Sequence, residues 1–134
     1  MTAHRSGNEG RHPRRLLVVE DDDGLRANLA ELLRDCGFEV TVAEDGAHAL
    51  MILGQGGVDL VLTDYRMPGL TGLRLAEEVR RTHPGTPCIL MTAFGDGITS
   101  AEGVRHGVAG YVEKPFEAAE IVGLVETLLL RGGA

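Results

Sequence analysis

Cysteine, aromatic residues and long apolar runs are all scarce in this chain. It has no tryptophan and two cysteines, Cys36 and Cys88, whose spacing fits neither a zinc site nor a disulfide framework. We therefore expect two small buried thiols in a reducing cytoplasm. The longest apolar stretches, such as 128–130, are far shorter than the roughly 18 residues of a membrane span. The basic segment 11–15 is followed by only four apolar residues before Glu20, so we expect no secretory signal and no membrane association.

Lysine is nearly absent, since Lys114 is the only lysine among thirteen basic residues. Residues 1–15 contain four Arg and one Glu, a net charge of +3, whereas residues 16–134 contain nine basic and nineteen acidic residues, a net charge of −10. An acidic surface repels a phosphate backbone, so we expect no direct binding of nucleic acid. We expect a flexible basic tail over residues 1–14 and one domain over residues 15–134, a length that suits a single core.

Five short apolar runs alternate with amphipathic helical stretches after the tail. Continuous apolar runs indicate strands that are buried on both faces, whereas residues 38–42 alternate between apolar and polar and indicate a half-exposed strand. Three of the helices have capping residues, namely Asp22 or Asp23, Asp45 and Thr71, whereas Gly103 weakens the helix expected over 98–106. The predicted strands are 16–19, 38–42, 58–63, 88–91 and 109–112. This alternation predicts an α/β fold with a parallel sheet and right-handed crossovers.

Polar residues follow these strands at the edge where α/β sheets bind ligands. The first strand ends in the acidic run 20–23, the third in Asp64, the fourth in Thr92 and the fifth in Lys114. Taken singly, each has an ordinary explanation, such as a helix dipole, a turn or a solvated charge. Together, the clustered carboxylates predict a divalent cation such as Mg²⁺, which binds carboxylate and phosphoryl oxygens. The pattern predicts phosphoryl transfer, with Asp64 as the nucleophile.

The sequence resembles the receiver domains of two-component response regulators over about residues 15–130. The shared motifs are LLVVEDD at 16–22, DYRMPGLTG at 64–72, MTA at 91–93 and GYVEKPF at 110–116. The resemblance implies a flavodoxin-like, doubly wound (βα)5 fold with strand order 2-1-3-4-5. It also implies a phosphorylation-dependent signalling switch, not a turnover enzyme, in which Asp64 accepts a phosphoryl group from a sensor histidine kinase or a phosphotransfer protein.

The resemblance also implies a metal site. Asp21, Asp64 and the backbone carbonyl of Arg66 would be direct ligands of Mg²⁺, and Glu20 would hold the ion through water. Many family members have Asp in place of Glu20, so the carboxylate lies about one methylene further from the backbone here.

Four further positions match residues that contact the phosphoryl group or respond to it, or that lie next to such a residue, in this family. Thr92 and Lys114 match its contacts, Tyr111 matches the aromatic switch that couples to the threonine, and the bond before Pro115 is implied to be cis. Roughly two added negative charges at Asp64 would draw Thr92 inward, and Tyr111 would fill the vacated space. The surface around residues 94–112 would then change shape and engage a partner.

Arg66 and Phe94 lie two positions beyond Asp64 and Thr92, beside the expected path of a hydrolytic water. Neither is a carboxylate or an amide that could orient this water, and Phe94 would also exclude it. We therefore expect slow loss of the phosphoryl group.

Three other functions fit parts of the pattern. A Mg²⁺-dependent aspartyl-phosphate phosphatase would need an acid two residues beyond its nucleophile, where this chain has Arg66. A flavodoxin-like cofactor binder would need a phosphate-cradling loop in place of the acidic one. A pseudo-receiver scaffold that is never phosphorylated is the third alternative, although the presence of Asp21, Asp64, Thr92 and Lys114 argues against it.

The expected partners follow from the resemblance. They are a sensor histidine kinase or phosphotransfer protein and, downstream, either another protein or an output domain. The segment after residue 130 is too short for such a domain, so we expect a stand-alone receiver or a piece of a longer regulator. A homodimer through the face of the fourth helix, fifth strand and fifth helix (the 4-5-5 face) stays open.

Overall fold

A computed structural model describes residues 13–133 of the chain. Most of the predicted tail, residues 1–12, and the last residue of the predicted domain lie outside the described residues. Five strands and five helices alternate along the described part, as the sequence predicts. None of the helices within 13–133 has the length and apolar character that a membrane crossing requires.

The strands form one parallel sheet with the order β2-β1-β3-β4-β5, which confirms the predicted flavodoxin-like fold. The strands are β1 (Arg15–Val19), β2 (Glu39–Ala43), β3 (Leu60–Asp64), β4 (Cys88–Thr92) and β5 (Gly110–Glu113). The helices are α1 (Asp23–Asp35), α2 (Gly46–Gly54), α3 (Gly72–Thr82), α4 (Ser100–Arg105) and α5 (Ala118–Gly133).

The apolar core has two layers, one on each face of the sheet. On one face Leu17 and Leu90 of the sheet pack with α2 and α3. On the other face Leu16 and Ile89 pack with α1 and α5. Because β3 and β4 are buried along their full length, their apolar residues point into both layers. The strands therefore hold their carboxyl ends at one fixed edge.

Side chains cap four of the helices where they begin. Asp22, Asp45 and Thr71 accept hydrogen bonds from the third residue after them, as predicted, and Asp22 is the cap of α1. α4 is shorter than the predicted 98–106 because Thr99 caps it in a capping box with Glu102. Helix ends that are satisfied in this way fix the loops that enter the sheet edge.

The two cysteines have different environments. Cys88 on β4 is buried, as predicted, and burial raises the pKa of its thiol to about 12. Cys36 is exposed, so the prediction of a buried thiol is wrong there. It caps the end of α1, immediately before Gly37 turns the chain with a φ of 98°.

Candidate functional site

The acidic segment after β1 places one carboxylate inside the protein and the next one outside. The side chain of Glu20 is 1% exposed, and its Oε2 accepts a hydrogen bond of 3.1 Å from the N–H of Asp22. The Arg26 guanidinium donates to the Glu20 carbonyl at 2.8 Å. Burial raises the pKa of Glu20, and the charge of Asp64 adds to this, whereas the Asp22 N–H and Lys114 oppose it. The hydrogen bond from Arg26, a residue of α1, thus holds the backbone at Glu20 in place.

Three carboxylates meet at this edge of the sheet. Carboxylate oxygens of Glu20, Asp21 and Asp64 all lie within 4.8 Å of one another. Asp64, the last residue of β3, is 6% exposed, whereas Asp21 is exposed. Acids at this separation repel one another in a partly buried site, and a hard divalent cation would relieve that repulsion. The cluster can hold such a metal ion.

Gly72 allows the backbone of Asp64 to lie against the start of α3. A Cβ at this position would lie 2.3 Å from the Asp64 carbonyl oxygen, and the Gly72 N–H donates to the Tyr65 carbonyl at 2.9 Å. Gly72 belongs to the DYRMPGLTG motif, but nothing in the sequence alone indicates this close approach to Asp64. The structure therefore assigns it to the positioning of Asp64.

Lys114, the residue directly after β5, reaches into the acidic cluster. Its Nζ lies 3.0 Å from Oδ1 of Asp64 and 3.1 Å from Oε1 of Glu20. Burial acts to lower the pKa of Lys114, but its hydrogen bonds and ion pairs with the two acids outweigh this and raise it. The following peptide bond, to Pro115, is cis. The chain's one lysine is thus a charged ammonium beside Asp64.

Thr92 and Tyr111 lie on neighbouring strands beside the cluster. Thr92 ends β4 and is 2% exposed, and its carbonyl accepts the Lys114 N–H at 2.7 Å. Tyr111 is half-buried, and its hydroxyl donates to the Ile98 carbonyl at 2.5 Å. A hydrogen bond therefore joins Tyr111 to the loop that follows Thr92.

Arg66 and Phe94 are both exposed in the loops beyond Asp64 and Thr92. Phe94 has 94% of its surface in solvent. Its exclusion of water from the phosphorylated Asp64 stays a prediction. Nε of Arg66 lies 2.7 Å from Oδ1 of Asp96, a residue that the sequence analysis missed. An acid between Gly95 and Gly97 at this edge was the one available signal.

The surface beside the cluster has a shallow depression of about 360 Å³. It is lined by Asp21, Tyr65, Arg66, Met67, Pro68 and Thr71. Asp21 is the member of the acidic cluster that lines this depression, together with residues of the loop that follows Asp64.

The chain matches known sequences along most of its length. The family model of the response regulator receiver domain matches residues 16–126. The transcriptional activator protein PfeR of Pseudomonas aeruginosa is 44% identical over 117 residues, which are 87% of this chain and 38% of PfeR. The sensory transduction protein RegX3 of Mycobacterium tuberculosis is 38% identical over 88% of this chain and 52% of RegX3. The chain thus spans about two fifths to one half of these relatives.

Solved structures agree with the sequence comparison. A receiver domain protein from Clostridium thermocellum has a TM-score of 0.84 and 27% identity, with 88% of this chain and 95% of that one covered. A response regulator from Chloroflexus aurantiacus has a TM-score of 0.83 and 34% identity, with 89% and 99% covered. The matched family, the strand order and these neighbours agree, and the chain belongs to the response regulator receiver domain family.

Proposed function

We propose that this receiver domain is a signalling switch that accepts a phosphoryl group on Asp64. The observation that carries the proposal is the position of Asp64 among Glu20, Asp21 and Lys114, with carboxylate oxygens within 4.8 Å of one another and an ammonium 3.0 Å away. Opposite charges gathered around one buried carboxylate are suited to phosphoryl transfer, in which catalysis consists mainly of positioning and charge stabilisation.

The transfer makes one bond and breaks one bond. An oxygen of Asp64 attacks the phosphorus of a phosphohistidine, and the P–N bond breaks as the P–O bond forms. The electron pair of that bond stays on the imidazole, and no redox change occurs. Lys114 neutralises charge that develops on the phosphoryl oxygens, since its Nζ already lies beside Oδ1 of Asp64.

The acidic cluster suits Mg²⁺ as a cofactor. Asp21 and Asp64 offer direct carboxylate ligands, Glu20 offers a buried carboxylate behind them, and the backbone carbonyl of Arg66 is the proposed further ligand. Bound Mg²⁺ would neutralise the incoming phosphoryl oxygens. Oxygen ligands of this kind favour a hard cation over a transition metal.

We propose that Thr92 and Tyr111 convert phosphorylation into a change of surface. Thr92 is buried at the end of β4, and none of the hydrogen bonds found within 13–133 involves its hydroxyl, which is suited to contact a phosphoryl oxygen. Movement of Thr92 would release space beside Tyr111 and disturb its bond to Ile98. The surface around residues 94–112 would then present a new shape to a partner.

The partners are proposed from the relatives. A sensor histidine kinase or phosphotransfer protein would supply the phosphoryl group, and a downstream protein or an output domain would respond to it. PfeR is a transcriptional activator by name, and this chain covers 38% of its length. The switch would act in the cytoplasm, a location that the free thiols of Cys36 and Cys88 support. It would assist its own phosphorylation and dephosphorylation and turn over no external substrate.

Incubation with acetyl phosphate and Mg²⁺ tests this proposal by intact mass. The wild-type protein is expected to gain one phosphoryl group, and the gain is expected to disappear on addition of a chelator and in Asp64→Asn. Asp59→Asn is the matched control, since Asp59 is an aspartate at the opposite end of β3 that binds the Arg15 N–H. No gain in the wild type would favour the pseudo-receiver scaffold. A gain that persists in Asp64→Asn would remove Asp64 as the acceptor.

A further inference from the structure

The carboxylate of Asp96 joins two loops beside the site. Asp96 lies in segment 93–98 between β4 and α4, and its side chain is 5% exposed. Oδ1 lies 2.7 Å from Nε of Arg66, and Oδ2 accepts a hydrogen bond of 2.7 Å from the N–H of Ala93. We call the Arg66–Asp96–Ala93 contact the clasp. Each oxygen of the carboxylate thus has a partner of its own.

The segment is shaped to bring Asp96 back to Ala93. Gly95 and Gly97 have φ angles of 91° and 74°, a region that favours glycine, and the Asp96 N–H donates to the Ala93 carbonyl at 3.1 Å. Burial acts to raise the pKa of Asp96, but the Ala93 N–H and Arg66 outweigh it and lower the pKa. The side chain of Asp96 is therefore held by the ion pair with Arg66 and by the hydrogen bond from the Ala93 N–H.

Both ends of the clasp are close in sequence to residues of the proposed switch. Arg66 follows Asp64 by two positions, and Ala93 follows Thr92 directly. At the far end of the segment, the carbonyl of Ile98 accepts the hydrogen bond of Tyr111. A continuous set of contacts thus runs from the loop after Asp64 to Tyr111.

We infer that the clasp holds segment 93–98 in its resting shape and that phosphorylation of Asp64 opens it. The inference rests on the proposed function and adds a regulatory contact to it. A phosphoryl group would bring roughly two negative charges to the edge of the sheet, where they attract Arg66 and repel Asp96. Both effects weaken the same ion pair. When the Asp96 carboxylate moves away, it no longer accepts the hydrogen bond from the Ala93 N–H beside Thr92. The segment that accepts the hydrogen bond of Tyr111 is then released.

The first measurement follows Tyr111 without a phosphoryl donor. The chain has no tryptophan and two tyrosines, so Tyr65→Phe leaves Tyr111 as the only tyrosine. Fluorine NMR of fluorotyrosine-labelled Tyr65→Phe protein therefore reports on Tyr111 alone. Adding Asp96→Ala is expected to shift this signal toward its position in the phosphorylated Tyr65→Phe protein. Adding Glu78→Ala is the control, because it breaks an ion pair of the same 2.7 Å length with Arg81 on α3.

The second measurement is the rate of phosphorylation by acetyl phosphate and Mg²⁺, followed by intact mass. If the clasp keeps most molecules in a resting shape, its removal raises the fraction that is competent to react, so Asp96→Ala is expected to react about threefold faster or more. Arg66→Ala breaks the same ion pair from the other side and keeps the backbone carbonyl of residue 66. It is expected to act in the same direction, which keeps the test valid should Asp96→Ala fold poorly.

The outcomes separate the clasp from the proposed function. An unchanged Tyr111 signal or an unchanged phosphorylation rate in the folded clasp variants would overturn the proposed role of the clasp. Phosphorylation of the wild type would still support Asp64 as the acceptor. The same response from Glu78→Ala would also overturn it. No mass gain in any protein, the wild type included, would overturn both the proposed function and the clasp.

Discussion

At the scale of single residues, the three clustered acids differ in exposure, and this difference suggests how each contributes. Asp21 is exposed, whereas Glu20 and Asp64 are buried. Because Asp21 faces solvent, its carboxylate is accessible to a hydrated ion.

We expect Asp21→Ala to weaken Mg²⁺ binding by about tenfold or more, since a direct ligand is lost. Isothermal titration calorimetry of the wild type and the variant measures this. Asp23→Ala is the matched control, because Asp23 is an exposed acid of the same segment that pairs with Arg26. Equal affinities of wild type and Asp21→Ala would contradict the assignment of Asp21 as a ligand.

The predicted slow loss of the phosphoryl group can be tested at Arg66 and Phe94. Arg66 has a guanidinium and Phe94 a phenyl ring, so neither side chain offers a carboxylate or an amide that would orient an attacking water. We expect the double variant Arg66→Asn/Phe94→Glu to lose its phosphoryl group several times faster than the wild type. The decay of the phosphorylated mass after removal of acetyl phosphate measures the rate. Decay that is equal or slower in the variant would contradict the prediction.

At the scale of elements, the junction between β3 and α3 leaves no room for a side chain at Gly72. We expect Gly72→Ala to destabilise the protein by about 1–3 kcal/mol, because its Cβ would lie 2.3 Å from the Asp64 carbonyl oxygen. Gly54→Ala at the end of α2 is the control, since nothing lies within 4 Å of its Cβ. Urea unfolding measures both variants. A Gly72→Ala variant as stable as the wild type would show that this junction can move apart.

The elements themselves could be predicted because each carries a local signal. The strands of the core are apolar runs, and Asp22, Asp45 and Thr71 cap helices by contacts to residues nearby in sequence. The predicted strand bounds lie within two residues of the observed ones, since apolar content does not mark where pairing begins. The fourth helix begins later than predicted because the capping box at Thr99 starts the hydrogen-bonded turn there.

Contacts between distant loops could not be predicted in the same way. The pairing of Arg66 with Asp96 joins residues thirty positions apart and depends on backbone turns at Gly95 and Gly97. Likewise, the exposure of Cys36 follows from its place at the end of α1, where the chain turns away from the core. A residue type alone indicates neither.

At the scale of the whole molecule, the two thiols report on the integrity of the core. We expect iodoacetamide to modify Cys36 rapidly in the native protein and to leave Cys88 unmodified, because Cys88 is buried and its pKa is raised to about 12. Mass spectrometry should therefore show one adduct in buffer and two in urea. Two adducts formed at equal rates in buffer would mean that β4 is accessible and that the sheet is less rigid than described.

The fold and the site are linked through the sheet, because the register of β1, β3, β4 and β5 brings distant parts of the sequence to one edge. The site thus depends on the whole sheet, and motif residues far apart in sequence act on one carboxylate. The strand ends therefore predict the acidic cluster from the sequence, whereas the contacts of the loops beyond them are seen only in the structure.

Chemical trapping of the aspartyl phosphate tests directly whether Asp64 carries the phosphoryl group. Borohydride reduces an aspartyl phosphate to homoserine, so treatment after incubation with acetyl phosphate and Mg²⁺ marks the acceptor permanently. Peptide sequencing by mass spectrometry then identifies the altered residue. We expect homoserine at position 64 and unmodified aspartate at position 21. Conversion of Asp21, or of any acid other than Asp64, would contradict it.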